Sequence, residues 1–158
     1  MDSSSHSPRH HTDGPPPEQQ WEPIPDSGEF ILANGPFYQT RNNLVPGEPI
    51  RFGFRVTRQH CNGMGVCHGG MLATFIDTAM ARGLLATGGL SANIPTISMT
   101  LDYLAPAALG DWIESRITIL RRARTLGFVR ATLQNGGGQI MRGNAVFRQR
   151  PLEDKGAD

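Results

Sequence analysis

His60-Cys61-Asn62-Gly63-Met64-Gly65-Val66-Cys67-His68-Gly69-Gly70-Met71-Leu72-Ala73-Thr74-Phe75-Ile76-Asp77 is the stretch in which the periodicity of the chain changes. Upstream, Ile50, Phe52, Phe54 and Val56 alternate with Arg51, Gly53 and Arg55, the period of a half-buried strand. From about Gly70 to Ala86 the apolar residues fall instead at helical spacing: Leu72, Phe75, Ile76, Ala79, Met80, Gly83 and Leu84. Gly88-Gly89 supplies the expected helix stop. Between strand and helix, Asn62, Gly63 and Gly65 break both patterns.

Working outward, four more strands follow the helix. Ile97, Met99, Leu101 and Tyr103 alternate with Thr96, Ser98, Thr100 and Asp102 until Pro106 ends the run. Trp112–Leu120 and Phe128–Gln134 alternate as well, and Asn135-Gly136-Gly137-Gly138 hands the second of these to Ile140–Phe147 as a hairpin. Upstream, Phe37–Arg41 reads as a short strand. A lone, broadly apolar helix among strands with short connections predicts an α+β architecture, the sheet curling around the helix.

One domain is expected over 28–150. Residues 1–27 hold Pro8, Pro15, Pro16, Pro17, Pro23 and Pro25 and no apolar run, so they read as a disordered arm, and 151–158 as a flexible tail. His6, His10 and His11 read as part of that solvated arm. There is no apolar leader in the arm, and Asp77 and Arg82 interrupt the longest apolar stretch, which points to a cytoplasmic protein without a membrane span. Two cysteines do not make the disulfide framework of a small secreted domain. Residues 28–150 carry thirteen arginines, no lysine and six acids, a net +7 that favours anionic partners. A nucleic-acid partner is not expected, because no zinc finger, RNP-like run or helix-turn-helix accompanies that charge.

Chemistry concentrates in the opening stretch. The first amides of a helix have no intrahelical acceptor, and Gly69 and Gly70 let a ligand approach them closely. The positive end of the helix suits a carbonyl oxygen gaining negative charge, and Asn62 can add a side-chain amide. A flexible turn before a helix start gives the same composition. Asp77 is the one acid of the helix, flanked at i±4 by Ala73 and Ala81; a carboxylate there is costly unless paired, hydrogen-bonded or catalytic. An ion pair with an arginine such as Arg82, or a solvated face, is the alternative. His68 reads as a loop-fixing hydrogen-bonding residue. A Cys67–His68 dyad lacks a third member, and His60, Cys61, Cys67 and His68 match no standard zinc spacing.

The order Asn62, then His68-Gly69-Gly70, then Asp77, resembles the hotdog-fold acyl-CoA thioesterases of the phenylacetate-pathway (PaaI-type) family. The likeness continues through Tyr103-Leu104-Ala105-Pro106, Gly110-Asp111 and Arg121-Arg122-Ala123-Arg124-Thr125. It implies a hotdog fold and hydrolysis of an acyl-CoA to free acid and coenzyme A. It assigns polarisation of the thioester carbonyl to Asn62 and the Gly69 amide, the base or nucleophile to Asp77, and a water-orienting hydroxyl to Thr96. His68, Gly70, Arg121, Arg122, Arg124 and Thr125 fall on substrate-binding positions, the arginine turn toward the phosphates of coenzyme A; a solvated hairpin tip is the alternative for that turn. No metal or cofactor is implied beyond the substrate's own coenzyme A. A non-catalytic acyl-CoA-binding hotdog protein and a hotdog hydratase or dehydratase are the rival readings. Met64, Met71, Phe75 and Met80 are candidates to line the acyl pocket.

Oligomerisation, as dimer or tetramer, is expected on distance as well. Eight residues of helix separate Gly69 from Asp77 by about 12 Å, too far for both to act on one thioester from one chain. A second copy related by a two-fold axis would supply the missing residue.

Overall fold

The structure, a computed structural model, describes residues 14–16, 20–25, 28–40 and 49–152. The three arm histidines lie outside the described residues. In chain order the elements are β1 (Trp21–Pro23), α1 (Gly28–Asn34), β2 (Tyr38–Thr40), β3 (Phe52–Arg55), α2 (Gly69–Leu85), β4 (Thr96–Tyr103), β5 (Trp112–Arg122), β6 (Leu126–Asn135) and β7 (Gly138–Arg148). The strands form one antiparallel sheet in the order β1-β2-β3-β5-β6-β7-β4. This is the expected hotdog arrangement, with α2 lying across the inner face.

The helical stripe read from the sequence is the buried one. Met71, Leu72, Phe75, Ile76, Ala79, Met80, Gly83 and Leu84 are all buried, opposite Ile113, Val129, Ala131, Leu133, Met141, Ala145 and Phe147 of the three long strands. Phe75 sits 4.7 Å from Phe54 and 5.1 Å from Phe37, ring centre to ring centre. Fully burying one such ring is worth about 1.5–3 kcal/mol, so the cluster fixes α2 to β3. Close approach to the sheet needs small residues: a Cβ on Gly83 would come within 2.9 Å of Ile117.

The chain leaves β3 near one side of the sheet, crosses its inner face as α2, and arrives at β4 on the opposite edge. Among the described residues β4 pairs only with β7, and all eight of its residues are exposed or half-buried. Its register slips by one between Thr96 and Ser98, leaving Ile97 as the extra residue. Such a bulge re-aims side chains. Simple alternation sets Thr96 opposite to Met99 and Leu101; with the bulge, Thr96 pairs with the buried Phe147 and faces α2, while Ile97 is 52% exposed.

The expected disordered arm over 1–27 needs correcting at its end. Trp21–Pro23 is β1, paired with β2, and Ile24 is buried. The Trp21 ring meets Trp112 edge-on at 5.1 Å, and the Arg51 guanidinium lies over its face. These aromatic contacts supply what the proline count concealed. α1 is a second helix the apolar spacing did not indicate, since none of its residues is buried. At the other end, Pro151 of the expected flexible tail forms a bridge with Leu90; residues beyond 152 are outside the described set. No helix among the described residues is long and apolar enough to cross a membrane.

Candidate active site

The loop before α2 is a small hairpin. Cys61 and Cys67 face each other across an antiparallel bridge, with Asn62 N–H donating to Val66 O at 2.9 Å and His68 N–H to His60 O at 2.7 Å. Asn62 turns the chain: its Oδ1 accepts from the amides of Met64 (2.9 Å) and Val66 (3.4 Å), and its carbonyl accepts from Gly65 N–H. Gly65, at φ +75, takes the left-handed conformation that the tight reversal demands. With Oδ1 so held, the Asn62 side chain is oriented, and its Nδ2 has no acceptor among the described residues.

His68 is the N-cap of α2, as its loop-fixing reading requires. Its Nδ1 accepts from Gly70 N–H at 2.8 Å, satisfying one of the unpartnered helix-start amides. The Gly70 amide, expected to face substrate, is therefore taken. The Gly69 amide has no acceptor among the described residues, so it is the open donor of the pair. The Tyr103 hydroxyl donates to Gly69 O at 3.0 Å, and a Cβ on Gly69 would meet the Tyr103 ring at 3.2 Å. Beside them lies a cavity of about 330 Å³, walled by Cys67, Gly69, Leu72 and the run Tyr103–Ala107. Tyr103 was legible only as part of a family pattern; no local signal marks it as a helix-start contact.

The expected acyl-lining set does not form. Met71, Phe75 and Met80 are 7%, 0% and 0% exposed and belong to the core, while Met64 projects into solvent at the hairpin tip. Apolar residues at helical spacing serve a core and a pocket equally well, so spacing could not separate the two.

Asp77 lies at mid-helix, half-buried. Its Oδ1 accepts from the Thr96 hydroxyl at 2.7 Å, and it makes no ion pair among the described residues. The Arg82 pairing considered from sequence is thus replaced by a hydroxyl from β4, delivered by the bulge. Gly69 and Asp77 do share one helix, eight residues apart.

His60 anchors the loop from beneath. It is 3% exposed; Nδ1 accepts from Thr57 N–H at 3.0 Å and Nε2 lies 3.0 Å from Asn34 O. A neutral ring protonated on Nε2 satisfies both contacts. Burial holds its pKa below the usual histidine range, against the opposing pull of the Asn34 and Arg55 backbone groups.

The arginine turn sits elsewhere on the chain. Arg121 and Arg122 end β5 and Arg124 occupies the turn to β6, all exposed; Thr125 is exposed beside them. Arg122 donates to Gly88 O just past the C-terminus of α2, the end of the helix away from Gly69. Within one chain, therefore, the site residues form three separate groups: Asn62 with His68 and Gly69, Asp77 with Thr96, and the arginine turn.

The model of the thioesterase superfamily matches residues 64–141. Human acyl-coenzyme A thioesterase 13 is 32% identical over 93 residues, which make up 59% of this chain and 65% of the human protein. Among solved structures, a phenylacetic acid degradation-related protein of Ralstonia eutropha is similar at 26% identity and TM-score 0.59, over 63% of this chain and 74% of that one. Mouse thioesterase superfamily member 2 is similar at 25% identity and TM-score 0.62, over 75% and 86% respectively.

Proposed function

We propose that the chain, which the thioesterase superfamily model matches over residues 64–141, hydrolyses an acyl-CoA thioester to a free acid and coenzyme A. The observation that carries this reading is the open Gly69 amide at the first residue of α2, with the oriented Asn62 side chain, its Nδ2 uncommitted among the described residues, in the hairpin that leads into it. In this reading both donate to a thioester oxygen that becomes an oxyanion, at the positive end of a helix.

In this mechanism Asp77 acts as general base. Thr96 donates its proton to Asp77 Oδ1, which leaves Oδ2 to take a proton from water and the Thr96 oxygen to accept the water's second hydrogen. The hydroxide formed attacks the acyl carbon, and the oxyanion rests on Gly69 and Asn62. Collapse then expels the coenzyme A thiolate, which takes from Asp77 the proton that came from water and restores the carboxylate. No step requires a metal or a further cofactor.

The 12 Å between Gly69 and Asp77 on one helix favours a site shared by two copies. A two-fold axis that sets Gly69 of one chain opposite Asp77 of the other passes the helix at Ala73, midway between them. The stripe of α2 not buried against the sheet there is small and polar: exposed Gly70 and half-buried Ala73, Thr74, Asp77 and Ala81. β4 runs beside this half-helix in the opposite sense, Thr96 touching Asp77 and Tyr103 touching Gly69. The same axis therefore aligns the two open β4 edges antiparallel, centred between Met99 and Thr100. Pairing would cover an eight-residue edge strand that is otherwise left as a template for association. Antiparallel helices also carry the arginine turn of the Asp77-donating chain past the Gly69 end of its partner, where the nucleotide of coenzyme A can extend.

A panel of short, long and aromatic acyl-CoA thioesters, read by release of free thiol, tests the activity. Multiple turnovers on at least one member are expected. Binding across the panel without thiol release would leave an acyl-CoA-binding protein instead.

A further inference from the structure

The only two cysteines in the sequence stand directly opposite each other, at the base of the Asn62 hairpin. The hydrogen bonds on either side of them join their neighbours, Asn62 to Val66 and His68 to His60. Cys61 and Cys67 thus occupy a non-hydrogen-bonded antiparallel position. In such a pair the Cα atoms stand about 4.5 Å apart and both side chains leave on the same face. That separation lies within the roughly 4.4–6.8 Å range that disulfides span. Neither sulfur is committed strongly: Cys61 Sγ donates to Thr57 O at 3.4 Å and Cys67 Sγ to His68 O at 3.9 Å.

We propose that Cys61 and Cys67 are a reversible disulfide site, closed by exchange with a low-molecular-weight disulfide such as glutathione disulfide. Half-buried Cys61 is the entry point, because Cys67 is only 5% exposed. The Cys61 thiolate attacks the small disulfide, forms a mixed disulfide and releases one thiol. Cys67 then attacks Cys61 Sγ, the internal bond forms, and the second thiol leaves. Two protein thiols become one disulfide as one small disulfide becomes two thiols. Asn62 is the first residue inside the ring so closed.

Burial, and secondarily the nearby Cys61 and Asp111 charges, push the Cys67 thiol up to about 12. That lowers its thiolate population, but its place directly opposite Cys61 makes its attack intramolecular, and effective molarities of well-oriented groups reach about 10⁵ M or more. A thiolate of high pKa is also the stronger nucleophile. Closure is therefore favoured over a lasting adduct. The proposal does not depend on thioesterase activity.

The test is to treat the native chain with excess glutathione disulfide at pH 8 and then measure mass and alkylatable thiols. The wild type is expected to lose two hydrogens, carry no glutathione, show no free thiol, and regain both thiols with dithiothreitol. Cys67→Ser should keep one glutathione on Cys61, and Cys61→Ser should remain unmodified. A lasting glutathione adduct on the wild type, two thiols still alkylatable, or disulfide-linked chain pairs would each overturn the proposal.

Discussion

At the scale of single residues, Asp77 bears the largest chemical demand. Its carboxylate sits on a helix whose remaining residues, Arg82 apart, are apolar, small or hydroxyl-bearing, and it receives one hydrogen bond, from Thr96. Asp77→Asn keeps the shape and can still accept from Thr96, but it cannot take a proton from water. The expected result is a kcat lower by roughly 10²-fold or more with an unchanged melting curve, since general-base terms are of that order. Near-full kcat on the best substrate would remove Asp77 from the mechanism. Asp77 and Asn62 stood out in the sequence as candidates because each is anomalous where it stands, the lone acid of a largely apolar helix and an amide in a glycine turn. Thr96 was reachable only through resemblance. Its own alternation put it on the wrong face, and a one-residue bulge, which leaves no mark in a hydrophobic pattern, turns it toward Asp77. The engagement of Gly70 by His68 was equally hidden, because composition does not say which of two adjacent amides a cap will take.

At the scale of elements, α2 and the strands β5–β7 were readable because each buries one face, and burial is what periodicity records; β4 was readable from its alternation, though it turns only the half-buried Met99 and Leu101 inward. α1 and β1 were not. α1 buries none of its residues, and β1 is three residues held by aromatic contacts from elsewhere in the chain. The β5–β6 hairpin yields its own prediction. Arg122 ties the hairpin to the end of α2 through Gly88, so replacing it would disturb the fold as well as the charge. Arg121 and Arg124 are exposed without such a tie among the described residues. The double change Arg121→Ala, Arg124→Ala should raise KM for a coenzyme A thioester far more than for the pantetheine thioester, which lacks the nucleotide phosphates. Added salt should shrink the difference, as it does for any exposed charge attraction. Equal KM changes on both substrates would count against phosphate contact at this hairpin.

At the scale of the whole molecule, the fold leaves its chemistry divided. One chain places the open Gly69 amide at the start of α2, with Asn62 in the hairpin before it, the Asp77 carboxylate at its middle and the arginine turn beyond its end. It also leaves β4 open along the edge that borders the first two. The α+β layering was inferable from strand–helix order and the hotdog fold from the family resemblance, while the separation of Gly69 from Asp77, on which the proposed shared site rests, follows from helix geometry, since about 12 Å is fixed by the rise per residue. The open β4 edge, which the proposed two-fold would close, depends on strand order across the sheet, and that cannot be read along a chain. The most direct measurement is complementation between Asn62→Ala and Asp77→Asn, each inactive alone, carried on differently tagged chains so that mixed dimers can be purified. In a mixed dimer one site holds both substitutions and the other holds neither, so about half of the wild-type thiol-release rate per dimer is predicted. Mixed dimers as inactive as either parent would put Asn62 and Asp77 of each site on a single chain and contradict the shared active site.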